Sequence, residues 1–308
     1  MKAIMYHYVR EYSSSHPNFR FLDFKNFCKQ LDYFDKNYGF VTKSEWQSAL
    51  RSKNLGEANG KVILTFDDAL SCHYKYIFPE LKKRNLWGTF YVPTQPYSNS
   101  QMLDVHRIHL LCGAFDGSFL LETLLQLINE NMIPDKKKEE FRNLTYKGQD
   151  NYKGVSEFKR ILNYFISYEH RKPIIDKIAD SFNYKFEAKK FYLTRNNLID
   201  MIEFGNIIGS HTVTHPVMSK ISFKEQREEI KKSFTFLENS CHSNLKTYCH
   251  PYGGFHSFNE DTITILNSEK VDYSFNVEAR DIENSDLENN IQYLPRYDCN
   301  HFPFGTAS

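Results

Sequence analysis

Two short apolar runs, Val62 to Phe66 and Gly88 to Pro93, flank a stretch with helical spacing, and this order constrains the chain more than any other feature. Between them Tyr74, Ile77, Phe78, Leu81 and Leu86 recur on one helical face, with Lys82, Lys83 and Arg84 where a helix dipole favours cations. Pro79 predicts a late start or a kink in that helix. Strand, crossover helix and strand at this spacing form a βαβ unit, so the sheet is predicted to be parallel and covered on both faces. The first run ends in Asp67 and Asp68. Parallel α/β sheets and barrels place ligands beyond the carboxyl ends of their strands, and consecutive side chains leaving a strand point different ways. One Asp can therefore hold a metal ion while the other faces a water. The plain alternative is a pair of solvated turn residues.

The other segments fit the same architecture. Lys2 to Val9 reads as a first strand ending near Tyr8 or Val9, with His7 near its end. Asp23 caps a helix whose apolar positions are 24, 27, 28, 31 and 34, and Thr42 to Glu45 is a capping box for a second helix through Leu50. From about 96 to 191 the pattern becomes mainly helical, clearest at Leu120 to Ile128, Phe158 to Tyr168 and Ile174 to Phe182, and reads as an insertion. Its middle, Asp135 to Gly154, is polar, charged and expected to be exposed. His106 and His109, without a matched carboxylate pattern, read as surface or cap residues more readily than as ligands. Further helices are expected from Thr194 to near Phe204, from a capping box at Ser222 to Leu237, and from Phe258 to Leu266. Val271 to Asn276 and Ile291 to Pro295 read as strands, the second delivering Arg296, and His301 to Ser308 as a loosely attached tail.

A length of 308 residues accommodates one large α/β domain as well as two small ones, so length does not decide. The 39 basic and 38 acidic residues leave no electrostatic footprint for nucleic acid or an anionic membrane, which favours a neutral or modestly polar substrate. The six cysteines are far apart with no CxxC pair, so disulfides are not expected and a reducing compartment is favoured. The N-terminus enters polar sequence directly and no run approaches a transmembrane length, so a cytoplasmic protein is expected.

Ile207 to Pro216 runs from a strand into a bend carrying His211 and His215, whose spacing suits two imidazoles on one ion, and Pro216 excludes a helix passing through from upstream. With the Asp pair they offer two nitrogens and one oxygen, a donor set used by catalytic metal sites that keep positions open for water and substrate. Tyr248 to Gly254 supplies a proline and two glycines in a loop whose backbone can approach an oxyanion.

TFDDA at 65 to 69, HTVTH at 211 to 215 and HPYGG at 250 to 254 together resemble the polysaccharide deacetylase family, the NodB-homology domain of carbohydrate esterase family 4. The resemblance implies a distorted (β/α)7-type barrel, a single catalytic domain over 1–308 with the helical insertion, and metal-dependent removal of an N-acetyl or O-acetyl group from a sugar. It implies Asp67 as general base, Asp68, His211 and His215 as ligands to one divalent ion, most often zinc, and Pro251, Tyr252 and Gly253 around the oxyanion. Two departures stand out. Cys249 occupies the place of an arginine that orients the base in many members, so Arg280 or Arg296 is expected to substitute. The C-terminal LxH segment is missing, but Met5-Tyr6-His7-Tyr8-Val9 matches an N-terminal MYHxV pattern of members acting on poly-N-acetylglucosamine. His7 thus becomes the expected catalytic acid, with His250 and His301 as alternatives. The expected substrate is a nucleotide-linked, lipid-linked or short N-acetylated glycan in surface polysaccharide assembly. The alternatives are an amidohydrolase opening a small cyclic amide and a non-catalytic carbohydrate-binding member of the fold.

Overall fold

The computed structural model describes residues 1–129, 132, 154–240 and 245–307. Among the described residues nine strands follow in chain order: β1 Lys2–Tyr6, β2 Val9–Arg10, β3 Leu22–Asp23, β4 Val62–Asp67, β5 Thr89–Val92, β6 Ile207–Ser210, β7 Thr247–Cys249, β8 Tyr273–Phe275 and β9 Tyr297–Asp298. Seven of them form one sheet in the order β8-β7-β6-β5-β4-β1-β9, and every pairing is parallel. The sheet curls into a barrel of the (β/α)7 kind with helices around it. β2 and β3 pair separately.

Period-2 alternation along β4 divides the core in two. Leu64 and Phe66 face outward into a cluster with Phe27, Leu31, Phe34, Ile77 and Leu81 from the surrounding helices. Ile63 faces inward with Tyr91, Tyr273, Phe275 and Trp46, the last from the helix Lys43–Ser52. Thr65 and Asp67 continue that inward row, so the alternation that builds the core also aims the first carboxylate into the barrel. The segment after Tyr293 touches both edges of the sheet. Leu294 bridges to Phe275, and three residues later Tyr297 pairs with Ile4 of β1.

The structure corrects several boundaries. β1 stops at Tyr6, because the His7 carbonyl accepts a hydrogen bond from His73 and Val9 then pairs with Leu22. The crossover after β4 begins as a π-helical turn, His73–Ile77, and only then becomes the α-helix Phe78–Arg84 with Pro79 in its first turn, where a missing N–H is harmless. Ile291 to Pro295 is not a strand: Ile291–Tyr293 is a 3-10 turn, and Pro295 has no N–H with which to extend the ladder past Leu294. The tail is docked. Gln30 Nε2 donates to the carbonyls of Cys299, Phe302 and Pro303, and Phe302 packs edge-on against Phe34.

Two compact units divide the chain, one of residues 1–11, 21–101 and 188–308, the other of 12–20 and 102–187. In the second, helices Asp104–Ala114, Gly117–Leu127, Val155–Arg160 and Tyr168–Ser181 surround Ile108, Leu111, Leu124, Phe158, Leu162, Ile175 and Ile178. His106 is fully buried in the first of these helices rather than at the surface. Asp104 receives Arg171 at 3.0 Å and Arg107 at 3.2 Å. The polar stretch 135–154 lies outside the described residues apart from Gly154.

Gly209 in β6 has no room for a side chain, since a Cβ there would come within 2.6 Å of the Tyr91 ring and 2.7 Å of Thr247 Cγ2. Gly209→Ala is expected to cost about 1–3 kcal/mol through overpacking of the barrel interior, read from urea denaturation midpoints. An unchanged midpoint would show that the barrel relaxes around the methyl group.

Candidate metal centre

Three separated turns converge at the carboxyl ends of the strands. After Asp67 the chain leaves β4 through Asp68 (φ 83°) and Ala69 (φ 53°), both left-handed. After β6 it turns through Thr212 (φ 64°) and His215 (φ 57°), and after β7 through Tyr252 (φ 63°) and Gly253 (φ 70°). Non-glycine residues in such conformations cost on the order of 1–3 kcal/mol each and persist where surrounding contacts over-determine them. The turn after β6 has that support. The His211 N–H donates to Val92 O, the Thr94 and Gln95 N–H groups donate to the carbonyls of Thr212 and Val213, and the His215 N–H donates to Thr212 Oγ1. The HxxxH pair therefore meets through a strained loop and not a helical turn.

The turns bring Asp68, His211 and His215 together, all buried. Asp68 Oδ1 is 3.6 Å from His211 Nε2 and 3.7 Å from His215 Nε2, and the two Nε2 atoms are 3.1 Å apart. His211 Nδ1 donates to the Cys249 carbonyl at 2.8 Å, which leaves the Nε2 lone pair of a neutral ring aimed at its neighbour. Two imidazole nitrogens at that separation need a proton or a cation between them. Burial pushes the His211 pKa down despite the raising effect of Asp67 and Asp68, so the neutral ligand form is favoured. Two nitrogens and one carboxylate oxygen fit a divalent ion with open positions.

Asp67, His211 and Cys249 form a second close group, with different chemistry. Arg296 Nη1 donates to Asp67 Oδ1 and Nη2 to Oδ2, each at 2.9 Å, so the carboxylate is gripped by both oxygens. The Cys249 thiol accepts from Arg296 Nη2 at 2.9 Å and lies 3.5 Å from Asp67 Oδ2. Burial pushes the thiol well above its ordinary range, against the opposing pull of Arg296, so it stays protonated. Burial alone would raise the Asp67 pKa as well, but the Arg296 guanidinium outweighs it and holds the carboxyl at about 2. Arg296, and not Arg280, is the cation beside Asp67. Arg280 is occupied by Asp286 and Glu278.

His7 Nε2 lies 3.9 Å from Asp67 Oδ2 and 3.9 Å from Asp68 Oδ2, with 38 % of its side chain open to solvent. His73, buried beneath it, donates from Nε2 to the His7 carbonyl at 2.8 Å. Pro251, Tyr252 and Gly253 form the turn beside the cluster, and the Tyr252 ring lies 4.9 Å from that of His215. The other histidines are elsewhere engaged. His250 stacks on Phe258 and bonds Gln292 O, burial lowering its pKa to about 3, while exposed His301 contacts Asp298 O. Reading the sequence missed His73 and Glu229, whose carboxylate receives the Val213 and Thr214 N–H groups. Glu229 carries no local signal, since it looks like one more charge on the solvated face of the helix Phe223–Ser240.

A polysaccharide deacetylase family model matches residues 176–274, which hold His211, His215 and Cys249 but not the Asp pair. The fold is similar to Streptococcus pyogenes deacetylase PplD in complex with acetate, at 18 % identity and TM-score 0.58 over 97 % of this chain and 91 % of that one. IcaB from Ammonifex degensii is similar at 18 % identity and TM-score 0.51 over 89 % and 82 % of the two chains. BC0361, a polysaccharide deacetylase from Bacillus cereus, is similar at 13 % and 0.53 over 96 % and 64 %. No curated protein matches the sequence.

Purified protein is expected to bind about one divalent ion per chain, with His211→Ala and His215→Ala each losing most of it. Elemental analysis finding equal metal in all three would remove the assignment. Arg296→Ala, which strands a buried carboxylate, is expected to destabilise the fold by about 3–5 kcal/mol in denaturant titration.

Proposed function

We propose that this chain, which has the polysaccharide deacetylase fold and part of that family's sequence signature, hydrolyses an acetyl group from an N-acetylated or O-acetylated sugar with a divalent metal ion. The observation that carries the reading is the convergence of Asp68, His211 and His215 beside an ionised, Arg296-held Asp67 and a partly exposed His7. Asp68, His211 and His215 would hold the divalent ion, zinc being the commonest choice for such donors, which would supply Lewis acidity to an acetyl carbonyl and to water.

The chain's own residues do the rest. Asp67, kept ionised by Arg296, accepts the proton of the attacking water. So acidic a carboxyl holds that proton only transiently. His7, 3.9 Å away and open to solvent, delivers a proton to the departing nitrogen, which is a very poor leaving group as an amide anion. The Pro251 to Gly253 turn lends backbone N–H groups to the negative charge that develops on the acetyl oxygen. Arg296 fills the role of the arginine that Cys249 displaces, which favours a catalytic member of the fold over a binding module.

The substrate class is an N-acetylated glycan, free or carried on a nucleotide or lipid, used in surface polysaccharide assembly. The near balance of charge supports recognition of an uncharged or modestly polar glycan portion. Among the described residues Cys28, Cys72, Cys112, Cys249 and Cys299 are free thiols, which supports a reducing, cytoplasmic site of action.

Asp67→Asn is expected to keep its metal and lose on the order of 100-fold or more in turnover, whereas Asp68→Asn should lose metal. The reverse pattern by metal titration would exchange the two roles. His7→Ala should fold and bind metal normally, lose on the order of 100-fold on an N-acetylated chito-oligosaccharide, and lose much less on an aryl acetate, whose leaving group needs little protonation. Equal losses on both substrates would exclude His7 as the acid. Ring opening of a cyclic amide without acetate release from any sugar would overturn the deacetylase reading itself.

A further inference from the structure

The turn between His211 and His215 is held from two sides. Thr94 and Gln95, following β5, donate their N–H groups to the carbonyls of Thr212 and Val213 at 3.1 and 3.0 Å. On the other side Glu229 Oε2 accepts the N–H groups of Val213 and Thr214, both at 2.8 Å, and Oε1 accepts Thr214 Oγ1 at 2.7 Å. Two successive amides converging on one charged oxygen fix the orientation of the peptide between them, and bonds to a carboxylate are about twice as strong as neutral ones.

The helix that carries Glu229 is itself tied to β6. Four residues further along the helix Phe223–Ser240, on the same face, Ser233 Oγ meets Ser210 Oγ at 2.6 Å, and Ser210 Oγ in turn accepts the Thr212 N–H at 3.3 Å. One helical face thus grips both the end of β6 and the turn that follows. The turn contains two left-handed residues, Thr212 and His215, the first of them β-branched, so it needs such external restraint.

We infer that Glu229 is a positioning residue for the metal centre: it holds the Val213 to Thr214 backbone so that His215 faces His211 and Asp68. The inference rests on reading Asp68, His211 and His215 as ligands. Glu229 contacts neither substrate nor ion in this role. It acts through the backbone, in the way that groups behind metal ligands set ligand orientation.

The test uses the full chain, stripped with a chelator and titrated with Zn²⁺ in competition with a chromophoric chelator. Glu229→Ala is expected to bind Zn²⁺ about 10- to 100-fold more weakly than wild type. Glu229→Gln keeps an acceptor oxygen for both amides and should recover most of that loss, while Glu228→Ala, whose exposed carboxylate pairs with Lys232, should bind like wild type. Hydrogen exchange of the 211–215 segment in stripped protein should be faster in Glu229→Ala. A glutamate that merely supported the fold would lower the melting temperature of stripped protein and leave Zn²⁺ affinity unchanged, which would overturn the inference. Thr214→Val, which deletes one of the three contacts, carries the same test if Glu229→Ala does not fold, with a several-fold weakening expected and unchanged affinity overturning it. Wild-type protein that binds no Zn²⁺ overturns the metal reading and this inference together; wild-type binding with an equally tight Glu229→Ala overturns this inference alone.

Discussion

The buried ion pair between Arg296 and Asp67 is the interaction on which the rest of the site depends. Taking both charges out of water costs several kcal/mol per ion, so the pair is tolerable only if its remaining hydrogen-bonding capacity is met. The guanidinium has five N–H groups and the structure gives it five acceptors: Asn276 O, Thr65 Oγ1, both oxygens of Asp67 and Cys249 Sγ. Those acceptors come from β4, the end of β7 and the residue after β8. Arg296 can reach them all because it lies in the short segment that runs from Leu294, bridged to β8, to Tyr297, paired with β1. Closing the sheet and orienting the carboxylate are therefore accomplished by the same residues.

Around that pair the backbone is held in conformations that side chains usually avoid. Asp68, Ala69, Thr212, His215 and Tyr252 all have positive φ, and each lies in a turn that leaves a barrel strand. Strain of this sort aims adjacent side chains in directions that a regular strand or helix cannot. It separates Asp67, facing inward to Arg296, from Asp68, facing the histidines. In the histidine turn the restraint comes from its surroundings, through the 94–95 backbone, Ser210 and Glu229. Distortion at the site is thus balanced by hydrogen bonds from elements whose own geometry is regular.

Three departures from the sequence reading have a common cause. His73 stands just before the expected crossover helix and drew no reading, yet burial lowers its pKa to about 4 and its neutral ring donates to the His7 carbonyl, ending β1 early. Gln30 was one polar residue on an amphipathic helix, yet its amide gathers three carbonyls of the C-terminal segment and docks what looked like a loose tail. Glu229 resembled its exposed neighbour Glu228. In each case a polar side chain serves a backbone group far away in sequence, and such pairings leave no periodic trace.

What the sequence determined by itself is the part written in short-range order. Short apolar runs and helical spacing specify a parallel α/β sheet, capping boxes mark helix starts such as Thr42 and Ser222, and three short motifs place carboxylates and imidazoles at strand ends. Those features depend on neighbours within a few residues, so they can be read without coordinates. Tertiary structure alone decided which cation meets Asp67, because Arg280 and Arg296 are equally plausible in one dimension and only the closure of the barrel brings Arg296 to it. It also decided that Cys249 is a protonated contact of that pair, that His7 stands 3.9 Å from both carboxylates, and that Glu229 braces the histidine turn. Each depends on contact between segments distant in the chain, and that contact exists only once the sheet has curled and closed.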